Sequence, residues 1–87
     1  MGEQKFVSLH RLAPGTRGIV RRLQGGNEFA SRLVAMGLSI GSEFEVLQNR
    51  GHGPVIVLVR DTRIALGRSE ALKIVVEELE RERRETE

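Results

Sequence analysis

The feature that most constrains this chain is an apolar helix that ends at glycine and runs through a tight turn into a strand. This helix–turn–strand joint covers residues 31–47, with Gly37 and Gly41 framing the turn. Gly37 stands where a helix stop needs a left-handed residue, and Leu38 is expected to fold back on Leu33. The segment contains no nucleophile, base or metal ligand, so it predicts binding rather than chemistry.

Five short strands are predicted from turn signals and from runs of apolar residues. Pro14-Gly15 fits a type II turn, and the imperfect alternation of the strand that follows favours a bulge. Residues 54–60 are apolar on both faces. This indicates either a central strand or a strand that contributes one half of an exposed apolar binding surface. The five strands are expected at residues 17–24, 43–47, 54–60, 63–66 and 73–76. Residues 1–12 are expected to form an ordered lead-in.

One short helix is predicted to begin at Asn27, a favourable N-cap, and to place Phe29, Leu33 and Met36 on one face. A single helical turn is predicted over residues 67–72, with Ser69 as its cap. The pattern is typical of a mostly β fold: a small, partly open SH3-like β-barrel of about five strands with one short α-helix and a helical turn. Residues 1–76 are expected to form this single domain, and residues 77–87 are expected to form a charged, frayed tail.

Composition excludes several functional classes. The chain has no cysteine, which rules out disulfides, iron–sulfur clusters and cysteine zinc sites. No apolar run approaches the length of a membrane span, and no signal peptide leads the chain, so a cytoplasmic protein is predicted. His10 and His52 lie far apart, and Asp61 is the only aspartate. We therefore expect no enzyme activity, no cofactor and no metal site.

The sequence resembles the FeoA family, the small cytoplasmic component of bacterial ferrous iron uptake. Residues 33–47, then Gly53-Pro-Val, then residues 64–76 carry the likeness in order, and it extends over residues 8–77. The same domain is similar to the C-terminal module of iron- and manganese-dependent repressors. Gly67 departs from the pattern, since many relatives carry a basic residue there.

This resemblance implies a regulatory protein that contacts FeoB, a membrane transporter with a cytoplasmic GTP-binding domain. It implies no catalytic residue, and it places the protein at the inner membrane only through its partner, without direct insertion. An apolar groove between the helix and the barrel is the predicted partner-binding site, and it is formed by Leu33, Met36, Leu38 and Leu66.

Two other functions remain open at this point. One is a metal-responsive regulatory module, as in the repressors. The other is a basic nucleic-acid-binding barrel, because arginines are numerous outside the tail. The lack of Trp and Tyr argues against stacking of single-stranded bases, and the arginines are dispersed, so no nucleic-acid partner is expected. A valine-rich strand edge leaves room for a weak homo-oligomer.

Overall fold

The computed structural model describes residues 6–79 as one six-stranded antiparallel sheet with two α-helices and one 3₁₀ turn. The sheet order is β1-β6-β2-β3-β4-β5. The elements in chain order are β1 (Phe6–Ser8), the 3₁₀ turn (Leu9–Arg11), β2 (Arg17–Leu23), α1 (Gly26–Met36), β3 (Glu43–Gln48), β4 (Val55–Val59), β5 (Thr62–Leu66), α2 (Arg68–Leu72) and β6 (Ile74–Glu78).

The mostly β fold is confirmed, with one strand more than predicted. The added strand is β1, which lies in the expected lead-in and pairs with β6 so that Phe6 faces Glu77. Strand β6 runs to Glu78, two residues past the predicted domain boundary. Because Glu77 also pairs with Ile19 of β2, the first residues of the predicted tail belong to the sheet. Residues 80–87 lie outside the described residues.

The core is made by alternate side chains of each strand, which point to one side of the sheet. Strand β4 shows the pattern most clearly, with Val55, Val57 and Val59 buried and Ile56 and Leu58 half-buried on the other face. The sixteen buried hydrophobic residues form one cluster, and no polar or charged residue is buried among the residues described. Burial of apolar surface is therefore the main force holding the barrel together.

The predicted bulge in β2 is confirmed, since the pairing with β6 shifts register between Val20 and Arg22. Gly18, in the same strand, allows a close approach of its neighbours. A Cβ at Gly18 would lie 2.7 Å from the Phe44 ring and 2.9 Å from the Glu77 carbonyl oxygen. Only glycine lets β2 pass between those two groups without displacing them.

Both predicted helix caps were wrong. The N-cap of α1 is Gly25, not Asn27, and no side chain caps that end. The chain enters the helix through Gly26 at φ 86°, and the Phe29 ring packs so tightly on Gly25 that a Cβ would lie 2.4 Å from it. The N-cap of α2 is Gly67 rather than Ser69, because the Glu70 carboxylate accepts the Gly67 N–H at 2.9 Å.

Candidate partner-binding site

The helix–turn–strand joint has the geometry that the sequence predicts. Gly37 adopts φ 104° and ψ 7°, in the left-handed region. Its N–H donates to the Val34 carbonyl at 2.9 Å, and the Leu38 N–H donates to the Leu33 carbonyl at 2.9 Å. These two bonds satisfy carbonyls that the end of a helix leaves without partners. The predicted glycine stop is confirmed.

The turn after the helix is fixed to strand β2 by backbone bonds. The Gly41 N–H donates to the Val20 carbonyl at 2.7 Å, and the Val20 N–H donates to the Ser42 carbonyl at 2.9 Å. Within the turn, the Ser42 hydroxyl accepts the Ser39 N–H at 3.0 Å. The joint is therefore held from both sides, so α1 leaves the barrel at a defined position.

The structure separates the four predicted groove residues into two groups. Leu33, Leu38 and Leu66 are fully buried at 0% exposure, whereas Met36 is 36% exposed. Of the four side chains, only that of Met36 is accessible from solvent in this conformation. Leu33 and Leu38 form the buried part of the joint, Leu66 belongs to the same hydrophobic core, and the binding role of the four residues stays a prediction.

Two further apolar side chains near the end of α1 are exposed to solvent. Val34 is 53% exposed and Ile40 is 62% exposed, and with Met36 they make up what we call the helix-end residues. All three lie within seven positions of one another, on either side of Gly37. The signal in the sequence was the presence of more apolar residues than one core-facing stripe needs. Periodicity alone did not show which of them stay outside.

A polar network joins three separate segments on another part of the barrel. No pattern in the sequence predicted it. The Arg68 guanidinium donates to Asn49 Oδ1 at 3.0 Å, to the Gly53 carbonyl at 3.2 Å and to the His10 carbonyl at 3.1 Å. The Asn49 amide donates to the carbonyls of His10 at 2.9 Å and Leu12 at 2.7 Å. We call these contacts the Arg68–Asn49 network. It connects the 3₁₀ turn, the loop between β3 and β4, and the start of α2.

His10 contributes its carbonyl to this network, but its ring does not bond to it. Nδ1 of the ring is buried and has no hydrogen-bond partner among residues 6–79. Burial lowers the pKa of His10 below 6.5, and the positive charges of Arg68 and Arg11 lower it further. Burial and the two arginines therefore both favour the neutral form of the ring over the charged one.

No other cluster with evident chemistry is found in the described part of the chain. Residues 6–79 contain no group of three or more histidine, aspartate or glutamate side chains that could hold a metal ion. None of the helices there is both long and apolar enough to span a membrane.

Comparison with known proteins gives this fold a family. The FeoA domain model matches residues 7–78. The chain belongs to the FeoA family. A Methanocaldococcus jannaschii protein named as Fe(2+) transport protein A is 42% identical over 66 residues, which cover 76% of this chain and 79% of that protein.

Solved FeoA structures share the fold. The crystal structure of an iron uptake regulatory protein, FeoA, superposes with a TM-score of 0.81 at 36% identity, covering 86% of this chain and all of the other. FeoA from Stenotrophomonas maltophilia, solved with zinc and described as a prokaryotic SH3 domain protein, gives a TM-score of 0.66 at 30% identity. That match covers 86% of this chain and 89% of the other. The SH3-like fold class is thereby confirmed.

Proposed function

We propose that this FeoA protein is a non-catalytic cytoplasmic accessory protein of ferrous iron uptake that docks on the FeoB transporter and modulates it through protein–protein contact. The proposal rests on family membership together with one structural observation. That observation is the exposure of the helix-end residues Val34, Met36 and Ile40 around a rigid helix stop. Exposed apolar side chains on a fixed backbone are what a docking surface needs.

The buried leucines would support this contact without making it. Leu33 and Leu38 fix the end of α1 through their packing and the 2.9 Å bond between Leu38 N–H and the Leu33 carbonyl. A rigid site loses less entropy on binding than a loop that must first become ordered. Any hydrolysis of GTP would belong to the cytoplasmic GTP-binding domain of the partner.

The test is the affinity of the full chain for the FeoB cytoplasmic domain from the same organism, measured by isothermal titration calorimetry. We expect Met36→Glu and Ile40→Glu each to weaken binding about tenfold or more, because a charge would be pressed against an apolar contact. Leu33→Glu is unsuitable as a binding test, since Leu33 is fully buried and the change would unfold the protein.

The matched control is Leu72→Glu. Leu72 is 52% exposed on α2 and is also aliphatic, so the substitution adds the same charge to a comparably exposed site. Circular dichroism verifies that each variant is folded. If Met36→Glu and Ile40→Glu bind like the wild type, or if Leu72→Glu weakens binding equally, the helix-end residues are not the docking surface.

A further inference from the structure

Strand β5 forms an open edge of the sheet. It is last in the strand order and pairs only with β4 among the strands described. The register joins Val59 to Thr62 across the two-residue turn Arg60–Asp61. In such a hairpin the closing pair exchanges both of its backbone hydrogen bonds, and the pairs then alternate along the strands.

That alternation fixes which backbone groups face outward. Thr62, Ile64 and Leu66 direct their N–H and C=O groups toward β4. Arg63 and Ala65 therefore direct theirs away from it, and neither takes part in the loop and turn bonds found among residues 6–79. Both residues are exposed. The edge thus offers two N–H donors and two C=O acceptors in the spacing that an added strand requires.

The charges along this edge favour one kind of strand. Arg63 lies at its centre, and Arg60 lies at the tip of the hairpin next to Asp61. All three are exposed, so two arginines stand against one aspartate along this edge. The three ion pairs of the described residues use Arg17, Arg21 and Arg32, so Arg60 and Arg63 are not engaged by any of them. Unengaged arginines beside open backbone groups attract carboxylates and repel a basic strand.

The conformation of Arg60 points in the same direction. Its φ of 58° makes it the only non-glycine residue with a positive φ in the described chain. The first central position of a two-residue hairpin turn with such a φ normally holds glycine. An arginine occupies this strained backbone position instead, and its positive charge lies at the end of the open edge.

We propose that the β5 edge binds an extended acidic segment of another protein as an added strand. Backbone bonds to Arg63 and Ala65 would hold the segment, and its carboxylates would pair with Arg60 and Arg63. The backbone groups of this edge are not part of the helix-end residues, although a Cβ at Gly37 would lie 3.8 Å from the Ile64 side chain, so the proposal goes beyond the docking on FeoB proposed above. The outward side chain of Ala65 is small, which leaves the edge open to an approaching backbone.

The experiment uses the full chain and two capped seven-residue peptides. One alternates glutamate with valine, and the other alternates lysine with valine. Two-dimensional NMR of the labelled protein is expected to show the Arg63 and Ala65 amides shifting with the acidic peptide, and their hydrogen exchange slowing about tenfold or more. The basic peptide is expected to leave both amides unchanged.

Two substitutions at one position isolate the backbone contact. Ala65→Pro removes the outward N–H, which an edge strand tolerates, and should weaken acidic-peptide binding about tenfold or more. Ala65→Val keeps the N–H and should bind like the wild type. Arg63→Glu should reverse the preference between the two peptides.

Several results would overturn the proposal. These are no binding of the acidic peptide, equal binding of both peptides, and unchanged binding by Ala65→Pro. Protection of the Arg63 and Ala65 amides by self-association before any peptide is added would also overturn it, because the occupant would then be a second copy. None of these outcomes bears on Met36, so failure here and failure of the FeoB docking proposal are distinguishable.

Discussion

The helix–turn–strand joint and the Arg68–Asn49 network are both fixed regions of this small barrel, but they are fixed in different ways. The helix stop within the joint is closed by bonds between near neighbours in the chain, such as Leu38 to Leu33. The network joins residues 19, 39 and 58 positions apart. The first is apolar and set by local backbone geometry, whereas the second is polar and exists only after the barrel has formed. Local order is therefore legible in sequence, and long-range order is not.

The largest loss of stability should come from a substitution in the buried part of the joint. Leu33→Ala removes a fully buried side chain and is expected to lower the free energy of unfolding by about 3 kcal/mol, through lost burial and the cavity left behind. Met36→Ala, in the same helix but partly exposed, should cost less than ~1 kcal/mol. Urea denaturation measures both. Equal losses of free energy would show that Leu33 and Met36 do not differ in burial as the structure indicates.

The network should follow with a smaller loss. Arg68→Ala removes the donor of three hydrogen bonds and is expected to cost about 2 kcal/mol in free energy of unfolding. Arg68→Lys should recover only part of this, because an ammonium cannot reproduce the planar fork that reaches three acceptors. A double-mutant cycle with Asn49→Ala should give a coupling above ~0.5 kcal/mol. Additive costs would mean that the network does not act as a unit.

The glycine stop should show a purely backbone effect. Gly37→Ala is expected to lower stability by about 1 kcal/mol, since φ is 104° and the new Cβ would meet Ile64 only at an ordinary 3.8 Å. Gly37→Asn is the matched control, because asparagine adds a side chain at the same position but tolerates the left-handed conformation better than alanine. That change should stay within ~0.5 kcal/mol. Calorimetric melting measures both, and equal losses would contradict the left-handed requirement at Gly37.

The smallest effect should be a pH dependence of stability that arises from the His10 ring. Burial lowers the pKa of His10 in the folded protein below its unfolded value of 6.5, so the unfolded chain binds more protons just below that pH. Stability is then fully present above 6.5 and decreases as the pH falls toward the folded pKa. His10→Gln keeps the backbone carbonyl and should flatten this slope. Melting temperatures from about pH 7.5 to about pH 5 test it, and an unchanged slope would remove His10 from the account.

Sequence reasoning was most accurate where a few adjacent residues decide the outcome. The stop at Gly37, the strand expected over residues 43–47 and the bulge in β2 all appeared as predicted. It failed at the caps of both helices. A cap depends on which side chain can reach the free N–H groups. The close packing of Phe29 on Gly25 set the start of α1, and the reach of Glu70 set the start of α2.

The added strand β1 and the open edge at β5 illustrate the same limit of prediction from local sequence. Phe6 faces Glu77 across the sheet, so the pairing that makes β1 a strand involves residues at opposite ends of the chain. Whether β5 is central or at an edge likewise depends on the order of all six strands. No local pattern carries that information, because alternation reports which face is buried and not which neighbour lies alongside.

The sequence by itself determined the order of the elements from β2 onward, the glycine stop of α1, the apolar residues available for a core and membership of the FeoA family. The tertiary structure alone decided that Leu33, Leu38 and Leu66 are buried while Met36 and Ile40 stay exposed, and that Arg68 meets Asn49 and His10. The reason is physical. Backbone geometry is set by neighbours in the chain, whereas burial and long-range hydrogen bonds depend on which surfaces the folded barrel brings together.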